Sequence, residues 1–278
     1  MKITFLGTAA AEGFPAMFCN CETCKRARAK GGKNLRTRSQ ILIGDDLLID
    51  FPPDGYMHSL RGGLNFSAVK YVLFTHAHAD HCCPIEFIYH GAAFAHDMIS
   101  EKLGIFGNET VIDFAKETMK GDLLEPVAKS LDLTAIKPYQ TFALGKYEIT
   151  TLPAEHTPGE DCLLYLISSG GKTCFIFNDS GVLSDSVYDF MQERNIKIDL
   201  VSFDCTYGYR RNELGRHMGL PNNVDEMQRM KKRGLLSPSV KLVATHFSHN
   251  CDDIYDEFTE KAAAHGFITA CDGLTIEI

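Results

Sequence analysis

Residues 76–81 read HAHADH, which places three imidazoles and a carboxylate within six positions. Donors of these types suit Zn²⁺, Mn²⁺ or Fe²⁺. A nearby divalent cation would offset the charge and desolvation cost of crowding them together. The alternation lets His76 and His78 point at one ion while Asp80 and His81 point at a neighbour. A surface histidine-rich turn is the plain alternative. Three more donors each close a hydrophobic run: His156 after YEITTLPAE, Asp179 after KTCFIFN and His246 after KLVAT. Singly, each fits a turn hydrogen bond at a strand end. Together they complete seven ligands, enough for two ions, with Asp179 as a carboxylate able to bridge them. A second cluster lies in MFCNCETCK, where Cys19, Cys21 and Cys24 put three thiols one ligand short of a closed tetrahedral zinc site. A redox pair or unliganded thiols are the alternative there.

These residues need strands that end together. VKYVLFT (69–75) is β-branched and aromatic, a predicted buried strand whose end delivers HAHADH. Further strands are expected at 2–6, 133–138, 147–154, 162–169, 172–179, 198–204, 241–247 and 273–278, and a hairpin over 40–51 turned at 44–46. Helices are expected at 54–61, 84–103 (opened by Pro84), 108–131, 183–194, 223–233 and 252–265. The basic run KRARAKGGKNLRTR (25–38) reads as a short helix and an exposed loop, a solvated face. Strands alternating with helices, with ligand-type residues repeatedly just past strands, point to an α/β fold of two packed sheets covered by helices, a single domain over 1–278.

The chain has 278 residues, enough to bury a sizeable core. Its net charge of −8 gives little electrostatic help toward nucleic acid or an acidic membrane. No apolar run approaches a membrane span, and MKITFLGTAAAEG reads as a strand and a turn rather than a signal peptide. Ten cysteines, mostly scattered, fit a reducing cytoplasm better than a secreted disulfide framework. Cys82, Cys83 and Cys205 read as packing residues, and His58, His90, His96 and His265 carry no partner pattern.

HAHADH followed by His156, Asp179 and His246 at strand ends resembles the metallo-β-lactamase superfamily and its His-x-His-x-Asp-His signature. The resemblance implies an αββα sandwich with a two-metal site at one edge. His76, His78 and His156 would hold one ion and Asp80, His81 and His246 the other, with Asp179 shared. Asp50, ending LLID, looks like the family's strand-end aspartate that orients ligands, a simple turn cap being the alternative. His249, three residues past His246, is able to face the cysteine cluster and complete a Cys₃His structural zinc site. FLGTAAAEGFP leading into CNCETC, with HFSH near the end, looks like the branch containing PhnP, and a related pattern occurs in PqqB proteins. In DCTYGYRRNELGRHMGL (204–220), Asp204 and His217 resemble the pair that phosphodiesterases of this superfamily add beside their metals. Such a pair suits diester hydrolysis, where His217 would protonate the leaving alkoxide and Asp204 would hold it charged. Arg210 and Arg211, in the same segment, are candidates for substrate phosphate contacts.

The resemblance therefore implies a metal-dependent hydrolase of a small, cyclic phosphodiester, of phosphoribosyl cyclic phosphate or cyclic nucleotide type. Its cofactors would be two divalent catalytic ions (Mn²⁺, Zn²⁺ or Fe²⁺) and one structural Zn²⁺, and it admits a homodimer. The competing expectations are a PqqB-like accessory or oxygenase protein, a hydrolase of a lactone, thioester or β-lactam, and an RNA 3′-processing nuclease. The last commonly carries a long arm between the ligands matched by His156 and Asp179, where this chain has only a short, strand-rich gap.

Overall fold

The computed structural model describes residues 1–61, 63–213 and 215–278. In chain order its strands are β1 (Lys2–Gly7), β2 (Gln40–Ile43), β3 (Leu47–Ile49), β4 (Tyr71–Leu73), β5 (Leu103–Gly107), β6 (Leu131–Ala135), β7 (Thr141–Leu144), β8 (Tyr147–Pro153), β9 (Leu163–Ser169), β10 (Lys172–Phe177), β11 (Ile198–Asp204), β12 (Leu236–Thr245), β13 (Phe267–Thr269) and β14 (Leu274–Glu277). The helices are α1 (Glu22–Lys30), α2 (Gly55–Leu60), α3 (Glu109–Met119), α4 (Glu125–Ala128), α5 (Asp185–Glu193), α6 (Leu220–Lys232) and α7 (Tyr255–Ala263).

The strands form two seven-stranded sheets, ordered β14-β1-β2-β3-β4-β5-β6 and β13-β12-β11-β10-β9-β8-β7. Both are mixed. In the first, β3 to β6 run parallel and the hairpin strands antiparallel; in the second, β10 to β13 run parallel and β7 to β10 meander antiparallel. The two-residue period of a strand decides which side chains meet. Along β9, Leu163, Tyr165 and Ile167 face the opposite sheet and, with Ile149 and Ile176 of the neighbouring strands, pack with Ile49 and Leu73 across the interface. Their neighbours Leu164 and Leu166 face outward, into a second cluster with Tyr188, Met230 and Phe258 from α5, α6 and α7. On the other side, Val111, Ile112 and Ala115 of α3 and Val127 of α4 cover Leu48, Val72 and Ile105. The result is the expected αββα sandwich, with both faces of the central strands buried. It explains why the strands read as near-continuous apolar runs.

Two expected helices are corrected and one unexpected strand is added. The helix expected over 84–103 is a 3₁₀ segment, Pro84–Tyr89, that ends before Gly91, whose φ is +78°. The helix expected over 108–131 ends at Met119, and only the single turn of α4 follows before β6. LGIFG (103–107), of which only Leu103 belongs to an expected helix and the rest to no expected element, forms β5, parallel to both β4 and β6. Short apolar runs are ambiguous in period, and tertiary pairing resolved this one. The basic run is also not wholly solvated. Arg36 is buried, with Nη1 donating to Thr8 Oγ1 (2.8 Å) and the Ala270 carbonyl (2.6 Å), and its guanidinium lies 4.2 Å from the Phe247 ring centre. A planar, weakly hydrated guanidinium tolerates such a site where composition alone predicts exposure.

Candidate metal centre

The parallel strands deliver their C-terminal ends to one edge, and the seven predicted ligands sit there. His76 to His81 follow β4, His156 follows β8, Asp179 follows β10 and His246 follows β12. Asp50, Asp179 and His246 hold left-handed backbone, at φ of +62°, +50° and +61°. Non-glycine residues rarely adopt it, and such strain clusters where function over-determines the geometry.

The side chains converge in two adjoining groups. His76, His78, His156 and Asp179 have their ligand atoms within 4.8 Å of one another, and so do Asp80, His81, Asp179 and His246. Asp179 Oδ2 lies 3.2 Å from His76 Nε2, 3.3 Å from His156 Nε2 and 3.2 Å from His81 Nε2, so one carboxylate reaches both groups. His81 Nε2 is 3.1 Å from Asp80 Oδ2, and His246 Nε2 is 3.8 Å from it. A tetrahedral ion with bonds of about 2.0–2.1 Å spaces its ligand atoms by roughly 3.3 Å, and these separations fit. His76 Nε2 is buried and makes no hydrogen bond, the condition of a lone pair awaiting a cation. Burial opposes charge on His81 and His246, but the facing carboxylates outweigh it: His81 is raised well above its usual range and His246 to about 9. Imidazole binds a metal in its neutral form, so metal binding at this site would be coupled to proton release.

A supporting ring of acceptors fixes the imidazoles. His81 Nδ1 is 2.6 Å from Asp50 Oδ2, whose other oxygen accepts the Thr75 N–H (2.8 Å). The Thr75 hydroxyl is 2.9 Å from His76 Nδ1, and the Thr206 hydroxyl 2.9 Å from His246 Nδ1. Glu160 Oε1 accepts the Ala77 N–H (2.8 Å) and a proton of the Asn108 amide (2.9 Å), pinning the loop that carries HAHADH. Thr75, Thr206 and Glu160 were not singled out from the sequence, because a hydroxyl or carboxylate past a strand is common and carries no signature alone.

His217 and Asp204 are brought to the same edge. Asp204 is fully buried; its Oδ2 lies 3.1 Å from His246 Nδ1 and 3.5 Å from His217 Nδ1, and its Oδ1 accepts the Met218 N–H (2.7 Å). The nearest carboxylate oxygen to His217 Nδ1 is Asp179 Oδ1, at 2.8 Å. Asp204 is therefore a hub for two imidazoles rather than the sole partner of one. Burial works against the imidazolium of His217, but Asp179 and Asp204 outweigh it and raise the group to about 11. His217 Nε2 takes no hydrogen bond among the described residues, and the ring lines a cavity of about 510 Å³ over the metal groups. Arg210 lines that cavity and pairs with Asp252. Arg211 is not among the residues that line it; the guanidinium pairs with Asp225 of α6 at 2.7 Å.

Cys19, Cys21, Cys24 and His249 also gather within 4.8 Å, with Cys21 Sγ 3.5 Å from His249 Nδ1. Cys21 caps α1, and backbone N–H groups of Ala16, Cys21 and Cys24 point at the sulfurs. The Cys24 N–H draws the Cys21 thiol down to about 6, whereas burial pushes Cys24 up to about 11. Soft donors in a tetrahedral set suit Zn²⁺.

Fold and clusters together define a metal-binding αββα protein. The model of the β-lactamase superfamily domain matches residues 47–247, and the chain belongs to the metallo-β-lactamase superfamily. Among curated proteins, coenzyme PQQ synthesis protein B of Bradyrhizobium diazoefficiens is 26% identical over 142 residues, 47% of this chain and 45% of that protein. Its namesake from Methylobacterium radiotolerans is 35% identical over 94 residues, 29% of this chain and 31% of that protein. The matched stretch thus spans less than half the length of either relative. Among solved structures, a diphosphatase of the PhnP family aligns over 100% of this chain and 97% of its own, with TM-score 0.76 and 20% identity. Zn²⁺-bound PqqB of Methylobacterium extorquens aligns over 100% of both chains, with TM-score 0.70 and 17% identity. The short form of human tRNase Z aligns over 100% of this chain and 99% of its own, with TM-score 0.68 and 18% identity. No described helix is long and apolar enough to cross a membrane.

Proposed function

We propose that the chain is a metal-dependent phosphodiesterase acting on a small, cyclic phosphodiester, with His76, His78 and His156 at one ion, Asp80, His81 and His246 at the other, and Asp179 between them. The observation that carries it is His217, whose Nδ1 lies 2.8 Å from Asp179 Oδ1 and 3.5 Å from Asp204 Oδ2 while the ring lines the cavity over the metal groups. Two divalent ions in these groups would supply Lewis acidity toward the phosphoryl oxygens and a more acidic water. Diester hydrolysis also needs a proton for the departing alkoxide. His217, held charged by two carboxylates, is placed to give it through Nε2. A fully buried Asp204 keeps the ring from turning away. The similar fold of a PhnP-family diphosphatase supports phosphorus chemistry. The segment between His156 and Asp179 is occupied by β9 and β10, which leaves no arm for gripping RNA and favours a small substrate. The Cys₃His group would hold a structural Zn²⁺, and the site would work in the cytoplasm.

A second reading follows from the curated relatives, both of which are named for PQQ synthesis. In it the same metals serve a PqqB-like role and His217 has no leaving group to protonate. Hydrolysis of bis(p-nitrophenyl) phosphate by Mn²⁺-loaded protein separates the two. Metal-dependent turnover supports the phosphodiesterase, and a His217→Ala loss, with metal content intact, that is modest on this aryl ester and larger on an alkyl diester supports His217 as its acid. No turnover with both ions bound overturns the phosphodiesterase in favour of the second.

A further inference from the structure

Beyond the metal groups and His217, the cavity is lined by Ala11, Glu12, Tyr207, Arg210, Ser248 and Asn250. Glu12 stands out, because a carboxylate is an odd choice in a cavity meant for an anion. It is firmly held. Its Oε1 accepts the Ser248 hydroxyl proton and lies 3.7 Å from His249 Nε2. The Gly13 N–H closes a turn on the Ala10 carbonyl (3.0 Å), and the Ala10 N–H donates to the Phe247 carbonyl (3.0 Å). The carboxylate is thus locked to the segment that carries His246 and His249. Its Oε2 takes no hydrogen bond from any described residue, and the side chain is 32% exposed.

Chemistry narrows what Oε2 can meet. A phosphate oxygen there would be repelled, which orients the phosphorus toward the metal groups. An apolar group would strip water from the carboxylate with nothing in return. An ammonium group would face the guanidinium of Arg210 in the same cavity. A hydroxyl donates to a carboxylate and meets neither problem. We infer that Glu12 is a specificity-determining residue that accepts a hydrogen bond from a free hydroxyl on the sugar or polyol part of the substrate. This rests on the phosphodiesterase reading above.

The test compares 2′,3′-cyclic AMP with its 5′-deoxy counterpart on the Mn²⁺-loaded full chain, for wild type, Glu12→Gln and Glu12→Ala, with zinc and manganese content measured for each. A hydrogen bond to a charged acceptor predicts a wild-type preference in kcat/KM of roughly tenfold or more for the hydroxyl-bearing substrate. Glu12→Gln should shrink that ratio and Glu12→Ala bring it close to one, chiefly through KM. If both substrates lose the same factor in the variants, or the wild type shows no preference, Glu12 only braces the loop and the inference is overturned. If no diester is turned over, the phosphodiesterase reading falls by itself. The same ratio is then read as binding of adenosine 3′-monophosphate against its 5′-deoxy form, where equal affinities in wild type and Glu12→Ala overturn the hydroxyl contact.

Discussion

At the scale of single residues, the metal groups depend on what stands behind them. Asp50 holds His81 Nδ1 at 2.6 Å and so commits Nε2 to the ion side. Asp50→Asn keeps the shape but places an amide where a carboxylate raised ligand basicity. Its affinity for Mn²⁺ or Zn²⁺ should fall roughly 10- to 100-fold in a chelator competition, with the fold unchanged by circular dichroism. His217→Ala makes a different cut. With both ions still bound, kcat for a diester should drop roughly 10²- to 10⁴-fold, the usual worth of a placed proton donor. The loss should be smaller for a p-nitrophenyl ester, whose leaving group needs the proton least. Equal losses on both kinds of ester would remove His217 from the role of acid.

At the scale of elements, the site is only as good as the strand ends and loops that carry it. Helix α1 opens inside the cysteine cluster, and His249 reaches the cluster from the far side of β12. A Zn²⁺ there would pin the N-terminal loop to the segment that bears His246. Cys24→Ser should lower the metal count from about three to about two ions per chain. It should also raise hydrogen exchange over 10–30 and 246–252 before it affects the sheets. Strand β5 is tested by Gly107, where an added Cβ would stand 2.6 Å from Val111 Cγ1 in α3. Valine is stiff at χ1 and has no easy retreat. Gly107→Ala should therefore cost about 1–3 kcal/mol in denaturant unfolding. A neutral substitution would show that α3 is free to shift away from the sheet.

At the scale of the whole molecule, His58 links stability to pH. It is buried between Gln40 Oε1 (2.6 Å) and Thr37 Oγ1 (2.7 Å). Burial lowers it to about 4, with Asp54 opposing and Arg61 reinforcing the shift. In the unfolded chain the group titrates near its ordinary value of about 6.5. Between those values the unfolded state binds more protons, so stability rises with pH across the window and is lost as pH falls from about 6.5 toward 4. The difference in unfolding free energy between wild type and His58→Gln should change by about 2 kcal/mol from pH 7 to pH 5. A constant difference would mean that His58 is charged in the folded state.

The sequence by itself determined the donor chemistry. HAHADH, the donors His156, Asp179 and His246 past hydrophobic runs, and the cysteine triplet are legible because ligand types are scarce and their crowding is local. The apolar strands that deliver them are legible because both faces of the central strands are buried. Tertiary structure decided the rest. LGIFG became β5 through pairing with β4 and β6, partners that no local period reveals. Arg36 left the solvated face because Phe247, Thr8 and Ala270, distant in the chain, fold around it. Arg211 turned to Asp225 while Arg210, its neighbour, faces the cavity. Thr206 and Glu12 acquired roles only when loops far apart in sequence met at one edge. Ligand identity is a property of residues, but the contacts that orient a ligand depend on chain closure across the fold.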